Sequence, residues 1–188
     1  ATMGSERTPG WSRTLAASID EGLIERDRLL DALLDMLAAD LPSGRAGWYS
    51  RTLRMLSMAL DEAEAHQGAL CALMSAPVGA TVTVAVRQLS ALSKAGRLDL
   101  ELFARSCEGA LMGSKANALA ALTILRGGLS SVEPADLEGL LGVALSFPHA
   151  QVQGLAIELA SDALRSGLLD SAAVGRLLSD AELDPLVV

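Results

Sequence analysis

Residues 24–60 read IERDRLLDALLDMLAADLPSGRAGWYSRTLRMLSMAL. Leu30, Leu33, Leu34 and Leu37 stand at i, i+3, i+4 and i+7, the apolar stripe of a helix. Pro42 interrupts the pattern, and Leu53, Leu56 and Leu60 resume it. The stretch therefore predicts a helix, a proline-bearing turn and a second helix. Whether this hairpin is a whole structure or one copy of a repeat is decided by the residues on either side.

The punctuation recurs. Pro9, Pro42, Pro77, Pro148 and Pro185 are separated by 33, 35, 71 and 37 residues, and Gly113-Ser114 stands where the long gap divides in two. Pro134 falls outside this spacing, and with Asp136 and Glu138 behind it reads as the first turn of a helix. Glycine–leucine junctions at Gly22, Gly96, Gly128 and Gly167 form a second series, each reading as a helix C-cap leading into the next helix. Local words return as well: Gly10-Trp11-Ser12-Arg13-Thr14-Leu15 reappears, with one insertion, as Gly47-Trp48-Tyr49-Ser50-Arg51-Thr52-Leu53.

A unit of about 35 residues with two helices points to a helical-repeat array. First helices are predicted near 24–40, 62–75, 98–112, 134–146 and 170–181. Second helices are predicted near 11–21, 45–60, 78–95, 115–127 and 149–166. Thr81 to Val86 alternates like a strand, but no second strand exists to pair with it, so it is read as helix. The expected fold is all-α, a right-handed α-solenoid of about four to five HEAT-like helical hairpins. Residues 11–188 form its single repeat domain, behind a disordered or cloning-derived N-terminus over 1–10. Pro185-Leu186-Val187-Val188 falls where another inter-helix loop would begin, which predicts a fragment of a longer array.

Composition agrees with this organisation. Apolar residues make up 51% of the 188, while aromatics make up 3%. That is the Leu/Ala economy of packed helices, with too few aromatic and β-branched residues for a sandwich or barrel. The first ten residues are polar and Gly-rich with no apolar segment behind a basic start, so no secretory signal is expected in them. Gly68 to Val86 carries no charge over nineteen residues, but Pro77 and Gly79 break it, so two buried helices are expected there and no membrane span. The expected compartment is the cytoplasm.

These prolines and stripes resemble the HEAT and armadillo-like repeat proteins. Pro42, Pro77 and Pro148, with Arg51 and Arg87 in second helices, match that pattern loosely, and the third hairpin lacks its proline. Residues 20–130 also resemble the repeats of an uncharacterised bacterial helical-repeat family, often encoded beside MoxR-type ATPases, von Willebrand A proteins and SWIM zinc-finger proteins. That second resemblance implies no activity. The first implies a curved stack whose second helices line the concave face.

Charge divides between the two helix sets. The net charge is -8, yet the predicted first helices sum to -10 and the second to +5. In the central second helices Arg45, Arg51, Arg54, Arg87, Lys94, Lys115 and Arg126 have no carboxylate on their own helix. Macrodipole complementation accounts for Lys94 and Arg126 at helix ends, and for Asp61, Glu62, Asp99, Asp136 and Asp170 at helix starts. Arg51, Arg54 and Arg87 lie mid-helix and escape it. Arg51 and Arg54, three apart, share a helix face.

Candidate chemistry is sparse. Two cysteines and two histidines would all be needed for one structural zinc site. Cys71 and Cys107 read as reduced core thiols, because neighbouring helix axes lie farther apart than a disulfide spans. His66, four residues after Glu62, has only Asp61 and Glu64 as near further ligands and reads as part of a solvated helix start. His149, behind Pro148 at a turn, reads as a cap or a solvent-facing residue. Gly109 to Lys115 lacks the interval of a phosphate loop. Alkylated-base DNA glycosylases share this size and repeat type, but their sites need a carboxylate and aromatics in a basic groove. The expectation is a non-enzymatic scaffold, without cofactor, metal or small-molecule substrate. It binds a protein or acidic peptide through Trp48, Tyr49, Arg51, Arg54, Arg87 and Lys115. A nucleic-acid-binding protein is the alternative.

Overall fold

A computed structural model describes residues 10–39 and 41–186. Most of the expected N-terminal segment, Pro9 and the final Val187-Val188 lie outside them. The described residues are all-helical, with no strand. Twelve α-helices follow in order: α1 (Gly10–Asp20), α2 (Arg26–Ala38), α3 (Ser43–Leu56), α4 (Leu60–Ala65), α5 (Gln67–Ala72), α6 (Gly79–Lys94), α7 (Leu100–Ser106), α8 (Glu108–Leu111), α9 (Lys115–Gly127), α10 (Pro134–Leu145), α11 (Ala150–Arg165) and α12 (Ser171–Asp180). Leu73–Ser75 and Leu129–Ser131 add single 3₁₀ turns.

Helix ends follow the punctuation. Gly22, Gly96 and Gly167 have φ of 71°, 69° and 76°, the left-handed conformation that glycine adopts without a Cβ clash. Behind each, a paired closure satisfies the last carbonyls: Leu23 N donates to the Ser18 carbonyl at 2.8 Å, Arg97 to Leu92 at 2.9 Å and Leu168 to Ala163 at 2.9 Å. Gly128 departs from the series: its φ is -130° and a 3₁₀ turn follows it. Pro42 is the N-cap residue of α3, and Pro77 and Pro148 lie just before the caps of α6 and α11. Ser114, in the place of the missing proline, caps α9 by accepting from Asn117 N at 3.3 Å. Pro134 opens α10 as expected.

Two first helices are less regular than the stripes suggest. The predicted 62–75 helix is α4 and α5, broken at His66, and ends in the 3₁₀ turn 73–75; the predicted 98–112 helix is α7 and α8, broken at Cys107. The second helix expected to reach residue 60 stops at Leu56. Ser57 there takes φ 50°, so Leu60 starts the next helix instead of extending the stripe. The uncharged run Gly68–Val86 is divided between α5, the 3₁₀ turn, Pro77 and α6, and no described helix is long and apolar enough to cross a membrane.

Contacts sort the helices into two rows. α1, α3, α6, α9 and α11 each pack on the next; α2 packs on α5, α5 on α7, α7 and α8 on α10, and α10 on α12. Each hairpin joins the rows, as in α2 on α3, α5 on α6, α8 on α9 and α10 on α11. One apolar core runs between them, with Leu30, Leu53, Leu70, Leu89, Phe103, Leu122 and Leu141 fully enclosed. Burying each such leucine contributes about 1.5–3 kcal/mol. Ala85, Ala118, Ala121, Ala156 and Ala160 supply small buried surfaces along α6, α9 and α11.

The buried polar residues all belong to the α1/α3/α6/α9/α11 row: Ser12, Ser50, Thr52, Thr81, Asn117 and Gln153. All but Gln153 bond across successive helices of the row. Ser12 and Thr52 hydroxyls meet at 2.7 Å, Ser50 and Thr81 at 3.1 Å, and Asn117 Nδ2 donates to Thr83 Oγ1 at 3.3 Å. No described buried side-chain polar atom is left without a partner. The seam fixes the register between helices without exposing the core.

Candidate functional site

The long-range arginine ion pairs span intervals close to that of the prolines, while Arg28, Arg105 and Arg165 pair within three or four residues. Arg26 meets Glu62, 36 residues on; Arg97 meets Glu64 and Asp61, 33 and 36 back; Arg126 meets Glu158 and Asp162, 32 and 36 on; Arg176 meets Glu138, 38 back. Each joins two separate segments of the helical array. The guanidiniums of Arg97 and Arg126 are held above their ordinary pKa, the first by Glu64 and then Asp61, the second by Asp162 and then Glu158. Arg126 is therefore not free, as its helix alone suggested. Its carboxylates sit on α11, 2.7 Å away in both cases.

Arg13, Arg45, Arg51, Arg54, Arg87, Lys94 and Lys115 form no ion pair among the described residues, and every one lies on α1, α3, α6 or α9. All described cations of the other row are paired. Arg13, Arg45 and Lys115 stand in the first turns of their helices, where the dipole disfavours a cation. Helix electrostatics gives no reason for them.

The expected site residues share this row but not one cavity. Trp48 and Tyr49, in the middle of α3, are half-buried and touch edge to face, with ring centroids 4.9 Å apart at 81°. Tyr49 packs against the core, so the pair serves the hairpin first. Arg51 is exposed and folds back along α3, its Nη1 3.4 Å from where a Cβ on Gly47 would lie. Arg54 and Arg87, without Arg51, line a groove of about 400 Å³ between α3 and α6. Lys115 is half-buried at the start of α9, outside that groove.

The groove has a polar rim and an apolar wall. Arg54, Arg87 and Gln88 supply the first; Met58, Leu60, Val84 and Ala91 the second. Its end is shaped by Ser57, a non-glycine residue in the left-handed region, which costs about 1–3 kcal/mol wherever it is imposed. Arg26 holds that loop from the opposite row. Its Nη2 donates to the Leu56 carbonyl at 2.9 Å and the Ser57 carbonyl at 3.2 Å, while Glu62 accepts from the same guanidinium and from Ala59 N at 2.7 Å. The Arg26 hydrogen bond leads the effects that hold the Glu62 carboxyl below its ordinary pKa. Nothing in the linear pattern marked this clamp, although the 36-residue interval between its members was there to be read.

A larger cleft, about 710 Å³, opens between α8 and α10 beside Gly139, Gly142 and Phe147. Glu108 is the one charged residue lining it, so it offers shape with little chemistry to direct a ligand. His66 does not pair with the Glu62 carboxylate: its Nδ1 bonds the Glu62 carbonyl at 2.6 Å. No group of three His, Cys, Asp or Glu among the described residues is arranged to hold a metal ion. His149 caps α11, its Nδ1 accepting from Gln151 N at 3.2 Å. Cys71 and Cys107 are free and buried.

No curated protein matches this chain, and no solved structure does. One family profile matches residues 1–118, most of the chain from α1 to the start of α9. The chain belongs to that family, described as a domain of unknown function, DUF6493.

Proposed function

We propose that this chain is a right-handed α-solenoid of HEAT-like hairpins, four to five in number. It acts as a non-enzymatic scaffold that binds an acidic protein or peptide along the α1/α3/α6/α9 row. The repeat reading is supported by the two rows of helices and by polar contacts that return at intervals of 31 to 40 residues. The binding reading rests on one observation. Among the described residues, cations without a carboxylate partner are confined to that row, whereas the opposite row neutralises its own. An uncompensated stripe of this kind attracts anions over several ångströms and sets partner choice as well as on-rate.

The test compares acidic polypeptide with nucleic acid. Poly-glutamate, a labelled DNA duplex and a labelled single strand are titrated with the protein at low and at about 200 mM salt. Retention of poly-glutamate, and its loss in Arg51→Glu with Arg54→Glu, is the expected result. Retention of the duplex or strand alone, with a steep salt slope, would replace this reading with nucleic-acid binding. If nothing is retained at low salt, the row is not a binding face.

A further inference from the structure

We infer that the α3–α6 groove is an anchor site for a short acidic linear segment of a partner protein. One apolar side chain of that segment seats against Met58, Val84 and Ala91, and its neighbouring carboxylates pair with Arg54 and Arg87. This rests on the acidic-partner reading of the row and gives it a specific position and a sequence requirement.

Three features of the groove carry the inference. First, the two guanidiniums that line it are exposed and have no carboxylate among the described residues. Guanidinium forks match carboxylates two bonds at a time. Second, Met58, Leu60, Val84 and Ala91 line the same groove, and Leu60 is 39% exposed. A phosphodiester backbone has no apolar group to place there, whereas an acidic peptide can carry one apolar side chain between its carboxylates. About 400 Å³ accommodates one large aliphatic or aromatic side chain with its flanking backbone.

Third, the groove is preformed. α3 ends at Leu56, and residues 57–59 leave the helical path before α4 begins. The left-handed Ser57 makes that exit, and the Arg26–Glu62 clamp holds it from behind through two carbonyls and one amide. Strain maintained by a dedicated clamp is a known companion of binding sites, and a preformed cavity spares a ligand the cost of ordering it. Arg26 and Glu62 are positioning residues here, since they do not line the groove.

The probe is a fluorescein-labelled nonapeptide of aspartate and glutamate with one central leucine; the comparison peptide carries serine in its place. Binding is read by anisotropy and by side-chain NMR shifts. Expected are shifts at Met58, Val84, Arg54 and Arg87, and roughly tenfold weaker binding of the serine peptide. Ala91→Tyr, which fills the groove, and Arg54→Gln with Arg87→Gln should each reproduce that loss. Unchanged thermal melting establishes that these surface variants are folded. If both peptides bind equally and Ala91→Tyr has no effect, the groove is not the anchor, although a charge-driven face survives. If Arg54→Gln with Arg87→Gln binds like the wild type while poly-glutamate is still retained, the anchor inference also falls. If neither peptide nor poly-glutamate binds, the acidic-partner reading fails with it.

Discussion

His66 Nε2 lies 2.9 Å from Asp31 Oδ1, joining α2 to the α4–α5 junction across 35 residues of sequence. The other ring nitrogen faces the Glu62 carbonyl at 2.6 Å. A carbonyl and a carboxylate are both acceptors, so both contacts are hydrogen bonds at once only when the imidazole carries two protons. Burial alone would lower the pKa; the Glu62 carbonyl and the Asp31 carboxylate outweigh it, with Asp27 nearby on α2, and the value stands above its ordinary one.

Protonation of His66 is thus linked to stability. A folded-state pKa above the unfolded value means the contribution is complete below about 6.5 and is lost as pH rises through the folded value. We predict that His66→Gln is less stable than wild type by about 1 kcal/mol at acidic pH. The gap should close on the alkaline side. Urea melts of both proteins between about pH 5.5 and 9 check this, spanning the ordinary histidine range. A gap independent of pH would show that the contact is packing alone.

Gly109 is fixed by the chain it faces. A Cβ there would lie 2.5 Å from the Met74 carbonyl oxygen and 2.8 Å from Ser75 Cα. Both are backbone atoms of the 3₁₀ turn that closes the preceding hairpin, so neither can rotate away. Gly109→Ala should cost about 1–3 kcal/mol, the range for overpacking. Gly154, inside α11, meets nothing within 4 Å. Gly154→Ala should instead stabilise by about 0.5–1 kcal/mol through helix propensity. Thermal melts of the two variants should move in opposite directions, and a shift of the same sign would contradict the packing argument.

Much of the helix order was legible because local signals coincide. The leucine stripe at 30, 33, 34 and 37 is buried as its period requires, and the glycines at 22, 96 and 167 close helices as their position implies. Three things stayed hidden. The breaks at His66 and Cys107 depend on side-chain and tertiary competition that periodicity does not register. The end of α3 at Leu56 runs against an apolar stripe that continues to Leu60, and it is held by Arg26 from another helix. The pairing of Arg126 joins residues 32 and 36 apart, whereas a charge count taken helix by helix looks three or four residues away. The charge neighbours that matter for Arg126 lie 32 and 36 residues along, close to the proline spacing.

Gln153 ties the last described segment to the body of the protein. Its Nε2 donates to the Leu145 carbonyl at 2.9 Å and the Glu182 carbonyl at 3.0 Å, and its Oε1 accepts from Asp184 N at 2.8 Å. The residue is 2% exposed. Gln153→Leu keeps the bulk but strands two carbonyls and an amide, which should cost about 2 kcal/mol. A protease cutting after glutamate should then cleave at Glu182 faster than in wild type. Equal cleavage rates would mean that the 181–186 segment is held by its apolar contacts, Ala181 and Leu183, without the amide.

Cys71 and Cys107 sit at neighbouring places in successive first helices, 1% and 0% exposed. Burial pushes the Cys71 thiol up to about 11 and the Cys107 thiol up to about 12. The thiolate is the reactive form, so at neutral pH both groups are chemically silent twice over, by access and by protonation. We predict that neither reacts with an aromatic disulfide reagent in the native protein near neutral pH, and that both react once urea unfolds the chain. Reaction should track unfolding in step with circular dichroism, because the two thiols belong to one continuous core. If one thiol reacts at the rate of a free cysteine while the helices remain intact, then its hairpin opens locally and the core is less cooperative than its packing indicates.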